Sequence, residues 1–341
     1  MTTKLRWGII GAGHIASKFA QGMLDSLTGE LVAVASRSLE NAQKFGAEHG
    51  IKRCYGDYNA LLADAEVDAV YIANLHPDHA EWAIKSAQAG KHILCEKPIT
   101  MNYAQTEAVV AAARANDVFL MEAYMYRCHP QTAKLVEIIK ERVIGEVRLI
   151  RATFSFNIGD RPESRLLAHE LGGGGILDVG GYCTSIARLL AGAACGQAFV
   201  EPTEVTAVGV IGKTRVDEYT VASMKFPGGI LAEVSCGVQL SQDNTVHIFG
   251  TAGDILIPMP WQPTRDNSCA KIIINRTGET AQVLEIPLER HLYSYEIDVV
   301  AANRVARQAP EMSWDDTLGN MQTLDRWRAA IGLVYDMERK K

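Results

Sequence analysis

The stretch Leu5-Arg6-Trp7-Gly8-Ile9-Ile10-Gly11-Ala12-Gly13-His14-Ile15-Ala16 decides the fold. Residues 5–10 read as a strand. Gly11, Gly13 and Ala16 follow it as G-x-G-x-x-A, opening a helix that carries Ile15, Phe19 and Met23 at four-residue spacing. Glycine at 11 permits a tight turn, glycine at 13 lets the backbone approach a pyrophosphate, and Ala16 allows close helix packing. The helix start, with His14 and Ile15 in its first turn, points unsatisfied N–H groups at the phosphates.

Outward from this unit, the first third of the chain repeats the alternation. Segments 31–35, 68–73, 92–95 and 118–121 read as strands with helical stretches between them, one holding Trp82, Ala83, Ala87 and Ala89 and closed by Gly90. Strand, helix, strand repetition implies a parallel sheet with right-handed crossovers. After a helix at about 132–142 the rhythm changes. Gly145 introduces a long strand at 146–156, and strand-like runs at 205–211, 219–226, 230–238, 245–249 and 271–274 follow without long helices. Helical stretches at 293–306 and 314–337 close the chain, the second capped by Ser313. The expectation is an α/β Rossmann domain at 1–123 and an α+β C-terminal domain at 124–341 with an open, largely antiparallel sheet, the last helix being able to pack back on the first domain.

Composition narrows the function. At 341 residues two domains are the default, and 48% apolar with 22% charged residues is ordinary globular usage. A net charge of −6 without a long basic run argues against nucleic acid. No apolar run reaches membrane-spanning length, and Met1-Thr2-Thr3-Lys4 enters a strand at Leu5 without room for a signal peptide. Seven cysteines without C-x-x-C spacing read as thiols in a reducing compartment, the cytoplasm.

The second strand ends Ala35-Ser36-Arg37-Ser38, where an NAD-selective site would carry a carboxylate for the adenosine ribose. Glu30 precedes that strand and sits roughly 16 Å from its other end at about 3.3 Å per residue. Arg37, flanked by the Ser36 and Ser38 hydroxyls, can pair with a 2′-phosphate, which favours NADP while leaving NAD possible. Two further segments fall at carboxyl ends of parallel strands, where ligands bind: Asn74-Leu75-His76-Pro77-Asp78-His79 and Cys95-Glu96-Lys97-Pro98. A lysine there can reach a reacting oxygen and lower a neighbouring hydroxyl's pKa. No carboxylate or cysteine accompanies the histidines at ligand spacing, so no metal is expected.

Glu96-Lys97-Pro98 after a glycine fingerprint resembles the Gfo/Idh/MocA oxidoreductase family, and His76-Pro77-Asp78-His79 most resembles its dimeric dihydrodiol dehydrogenase and NADP-dependent D-xylose dehydrogenase branch. The likeness extends through Glu122-Ala123, Gly145-Glu146-Val147-Arg148 and the block Leu171-Gly172-Gly173-Gly174-Gly175-Ile176-Leu177-Asp178-Val179-Gly180-Gly181-Tyr182. Many family members carry histidine where this chain has Tyr182. The resemblance implies that Tyr182 is the general acid/base, that Asp178 binds or orients the reacting hydroxyl, and that Lys97 contacts substrate and nicotinamide. Asp178 and Tyr182 are four apart, so in a helix they share a face. Asn74, His76, His79, Glu96 and Lys97 are the further expected cofactor contacts.

Arg127, Asn157 and Arg161 are candidate substrate contacts, with Phe154 and Phe156 as aromatic walls or core. The activity that the resemblance implies is oxidation or reduction of an aldose or related polyol hydroxyl. A trans-dihydrodiol or inositol dehydrogenase is the alternative, and an NAD-dependent glycoside hydrolase or a non-catalytic dinucleotide-binding regulator represents other classes. The open sheet predicts a homodimer or homotetramer through the C-terminal domain.

Overall fold

Strand β1 (Leu5–Ile10) forms because Leu5, Trp7, Ile9 and Ile10 are all buried, and the chain then turns into α1 (His14–Met23), whose Ala16, Phe19, Ala20 and Met23 face the sheet. The computed structural model describes residues 4–161, 163–264 and 268–338. The alternation continues through β2 (Gly29–Ala35), α2 (Leu39–His49), β3 (Arg53–Tyr55), α3 (Tyr58–Leu62), β4 (Ala69–Ile72), α4 (His79–Gln88), β5 (His92–Glu96), α5 (Tyr103–Ala115) and β6 (Leu120–Ala123). These strands form one six-stranded sheet in the order β3-β2-β1-β4-β5-β6, parallel at every pair. Successive strands run outward from β1 in opposite directions, so the topological switch point lies between β1 and β4, where open α/β sheets bind ligands.

The second sheet follows α6 (Pro130–Lys140). It contains β7 (Val147–Ser155), then, after α7 (Gly181–Ala194), β8 (Glu204–Ile211), β9 (Asp217–Lys225), β10 (Leu231–Gly237), β11 (Val246–Gly250), β12 (Gly253–Ile257), β13 (Ala270–Arg276) and β14 (Gln282–Ile286). Its order is β14-β13-β12-β11-β7-β10-β9-β8, open at both edges. Pairing is antiparallel except between β7 and β10, which lie parallel with Leu149 opposite Leu231. Every residue of α7 from Gly181 to Ala193 is buried, so one face of this sheet is covered. The other face leaves apolar side chains in solvent: Val208 is 70% exposed, Leu231 50% and Val221 46%. Strands β3, β12 and β14 are absent from the sequence reading. β3 has three residues, and β12 and β14 have five each.

Two helices close the chain, α8 (Leu292–Asn303) and α9 (Trp314–Ala330). Ser313 caps the latter, its hydroxyl accepting from Asp316 N–H at 3.2 Å as its sequence position predicts. The helix stops seven residues short of the predicted 337, and Gly332 at φ +73° begins the chain reversal that follows.

The chain divides into two compact units, Met1–His129 with Glu289–Leu318 and Pro130–Leu288 with Gly319–Lys341. A single boundary near residue 124 therefore describes only the first of three crossings. Polar anchors tie the returning segment to the first unit: Asp298 on α8 accepts from Ser26 and Thr28 hydroxyls, each at 2.6 Å, and Trp314 Nε1 donates to Leu120 O at 3.1 Å. Arg127 and Asp316 form an ion pair at 2.5 Å with both side chains 2% exposed. Removing one partner of such a pair costs about 3–5 kcal/mol. Among the described residues no helix is long and apolar enough to cross a membrane.

Candidate active site

The first unit gathers its chemistry at the carboxyl ends of β1, β2, β4 and β5. Gly11 adopts φ +99°, and a Cβ there would lie 2.7 Å from Asn74 N, so the turn after β1 runs against the backbone after β4. Only glycine fits both demands. Gly13 precedes α1 without a side-chain cap, and a Cβ on it would meet nothing within 4 Å. His14 is exposed and Ile15 half-buried beside it, while Ala16 is buried under the helix. The start of α1 thus offers N–H groups beside open space, the cradle that a pyrophosphate requires.

Ser36 and Arg37 follow β2, with Arg37 exposed. The Ser38 hydroxyl oxygen accepts from Asn41 N–H at 3.4 Å and caps α2, a use the sequence reading did not give it. Both polar atoms of the Asn74 side-chain amide are buried and have no hydrogen-bond partner among the described residues. A desolvated amide left so costs about 1–3 kcal/mol. Together with the open cradle at Gly13, it is the mark of a residue shaped for a polar ligand, and the site fits a dinucleotide. His79 is 1% exposed, and its Nδ1 and Nε2 stand 2.9 Å from Pro98 O and 3.1 Å from Asn74 O. It therefore braces the Asn74 turn against the Lys97-Pro98 turn. His76 lies edge-on to it, with ring centroids 6.4 Å apart.

Glu96 ends β5 buried. Its carboxylate accepts from the Tyr71 hydroxyl and, at 3.2 Å, from Lys97 N–H. The Lys97–Pro98 peptide is cis. Glu122, on β6, accepts from Ile99 N–H at 3.0 Å. Carboxylates on neighbouring strands thus hold the backbone on both sides of Lys97, whose own side chain is half-buried.

The second unit presents Asp178 and Tyr182. The glycine run Gly172–Gly175 is buried and leads into a single π-helical turn, Ile176–Gly180, continued by α7. The α-helix assumed from the four-residue spacing is thus preceded by a wider turn, of a kind that occurs often at functional sites. Asp178 does not cap this helix. Asp217, at the start of β9, accepts from Ile176 N–H at 2.7 Å instead. Asp178 is 7% exposed, and its Oδ1 accepts from Arg165 at 3.3 Å.

Tyr182 is 4% exposed and enclosed by two rings. Phe154 crosses it at 5.1 Å and 77°, Trp261 at 5.7 Å and 68°, and these two stack on each other at 5.5 Å and 10°. Trp261 Nε1 donates to Thr153 O at 2.8 Å, which fixes the indole over the end of β7.

Sequence reasoning missed Trp261 and Arg165. Neither lies in a periodic segment, and the basic residue it selected, Arg161, is exposed four positions before Arg165. Asn157 is exposed, pairs with Gln239 as an isolated bridge and accepts from Gly159 N–H at 2.8 Å. Arg127 is engaged by Asp316 in the first unit, so its guanidinium serves as an internal cross-link where a substrate contact was expected.

A parallel sheet with a glycine turn, a bare helix start and an orphaned amide at its switch point is the arrangement of a dinucleotide-binding domain. Residues 5–124 match the family described as "Oxidoreductase family, NAD-binding Rossmann fold", and residues 132–256 match "GFO/IDH/MocA C-terminal domain". The chain belongs to the Gfo/Idh/MocA family and is an NAD(P)-dependent oxidoreductase acting on CH–OH groups. It is 37% identical to trans-1,2-dihydrobenzene-1,2-diol dehydrogenase of Mus musculus over 98% of this chain and 99% of that one, and 33% identical to the Danio rerio enzyme of that name at the same coverage. Among solved structures it resembles KijD10, a 3-ketoreductase from Actinomadura kijaniata in complex with NADP and TDP-benzene, with TM-score 0.86 and 27% identity over 96% of this chain and 98% of that one.

Asn74→Leu, nearly isosteric, should raise the stability of the cofactor-free protein by up to about 1 kcal/mol, because an orphaned amide is removed. It should weaken dinucleotide binding about tenfold or more. Thermal unfolding with and without cofactor, alongside fluorescence titration, reads both, and unchanged affinity would show that the amide is not a cofactor ligand.

Proposed function

We propose that this chain is an NADP-dependent dehydrogenase/reductase whose substrate is a hydroxyl-bearing six-membered ring, an aldose first and a trans-dihydrodiol next. The observation that carries this reading is the enclosure of Tyr182 by Phe154 and Trp261. Stacked aromatic faces favour the C–H face of a sugar or the ring of a diol, and the phenol among them supplies a polar group for a substrate hydroxyl.

In the oxidative direction Tyr182 takes the proton of the substrate hydroxyl, and in the reductive direction it returns one to the carbonyl oxygen. A phenol with a pKa near 10 in water needs assistance to act as a base at neutral pH. The Lys97 ammonium gives it by favouring negative charge on the reacting oxygens. That Lys97 serves this hydroxyl is carried over from the family motif matched by Glu96-Lys97-Pro98. Asp178 accepts a hydrogen bond from the substrate and orients it, with its carboxylate also accepting from Arg165 at 3.3 Å. Bound at Gly11, Gly13 and Asn74, the nicotinamide dinucleotide supplies the acceptor or donor of hydride.

Arg37 supports NADP over NAD, since it is the exposed cation after β2 where a carboxylate would serve the NAD ribose. The structure of the Actinomadura reductase with NADP is in keeping with this choice. All seven cysteines are unpaired, in keeping with a cytoplasmic enzyme. The apolar side chains Val208, Val221 and Leu231 on the uncovered sheet face support a second copy of this chain as the partner there, in a homodimer or homotetramer.

Turnover with NADP⁺ and NAD⁺ against aldoses, inositols and trans-dihydrodiols tests the function, and no reduction with any of them despite tight NADPH binding would sink it. Tyr182→Phe should lower kcat at least about 100-fold while NADPH affinity stays within about twofold, because one hydroxyl is lost from the proton path alone. Near-normal kcat would remove the acid–base assignment. Arg37→Ala should raise KM for NADP⁺ about 10- to 100-fold and leave that for NAD⁺ almost unchanged, as the loss of a charge-assisted phosphate contact demands. Light scattering should give at least twice the chain mass of 37.2 kDa, and a monomer at all concentrations would contradict the oligomer.

A further inference from the structure

We infer that Asp217 is a positioning residue for the reaction: reaching across from β9, its carboxylate fixes the start of the π-helical turn that carries Asp178 and leads to Tyr182. The inference rests on the reading that Asp178 and Tyr182 act on the substrate.

A helix start leaves its first N–H groups without intrahelical acceptors, and the preceding residue usually supplies one from its side chain. Here that residue is Gly175, which has none. Asp217 replaces it from 41 positions away, Oδ2 accepting from Ile176 N–H at 2.7 Å. The group is 0% exposed. The glycine run is shaped around it: Gly174 adopts φ +115°, and a Cβ there would lie 2.1 Å from Asp217 Oδ1. Glycine at 174 thus answers both a backbone conformation closed to other residues and the room the carboxylate needs. Tyr335 adds a second hold on the same run by donating its hydroxyl to Gly173 O at 2.5 Å.

Burial pushes the Asp217 carboxyl up to about 7, while the N–H donors and the Arg328 charge oppose that rise. A fully buried carboxyl held against its own desolvation needs a task. Position of the first helical residue is that task, because sliding a helix by one residue swings each side chain by roughly 100° about the axis. Asp178 and Tyr182 keep their bearing only if Ile176 begins the turn. Asp217 touches neither of them through any hydrogen bond described, so its effect is on where they stand.

The test compares Asp217→Ala, which deletes the acceptor, with Asp217→Asn, which keeps a weaker neutral one. The expected order of kcat is wild type, then Asn about 3- to 10-fold lower, then Ala about 10- to 100-fold lower, with NADPH affinity within about twofold throughout. Hydrogen–deuterium exchange of peptides covering residues 174–182, measured without substrate, should accelerate in the same order. Wild-type kcat in a folded Asp217→Ala protein overturns the inference. If the alanine variant does not fold, an asparagine variant equal to wild type in kcat and exchange overturns it, since Asp217 then serves only the fold. Faster exchange with unchanged kcat removes the positioning role, and an active Tyr182→Phe measured beside it places the failure in the acid–base reading rather than in the hold on the helix start.

Discussion

The first N–H groups of a helix need acceptors, and the two halves of this chain meet that need in opposite ways. At α1 the preceding residue is Gly13, no side chain caps the helix, and the space a side chain would fill stays open. The donors there face outward toward a ligand's phosphates. At Ile176 the preceding residue is again a glycine, yet a buried carboxylate from a distant strand takes the Ile176 N–H. Glycine opens both places. What arrives to meet the N–H groups separates a binding site from a fixed support.

Rigidity around the reactive side chains comes from the layer behind them. Lys97 stands between Glu96, which is tied to Tyr71, and Ile99, whose N–H is held by Glu122, while His79 braces the adjoining carbonyl. In the second unit α7 is buried from Gly181 to Ala193, so Tyr182 has little freedom to turn, and the stacked pair of Phe154 and Trp261 confines it further. Such enclosure lowers the conformational cost of reaching a reactive geometry, because the side chains are ordered before substrate arrives.

Much of this was legible in the residue order. The glycine fingerprint after β1, Glu96-Lys97-Pro98 after β5 and the glycine-rich block before Asp178 are local signals, since neighbouring residues make the turns that give them meaning. The change from alternating strands and helices to a run of strands announced the second sheet. Strands β3, β12 and β14 escaped this reading, and β3 and β14 form sheet edges. Arg127 was a candidate substrate contact, and only its pairing with Asp316, 189 positions later, reveals it as part of the interior.

By itself the sequence determined the class of sheet at each end of the chain and the dinucleotide fingerprint, because these depend on residue type and short spacing. The tertiary structure alone decided that Trp261 and Phe154 enclose Tyr182, that Asp217 holds the start of its helix, and that 289–318 folds with the first unit. Each of those pairings joins residues tens to hundreds of positions apart, and no local propensity encodes which strand or loop will arrive at a given helix end. Only the burial of a whole sheet face selects among them.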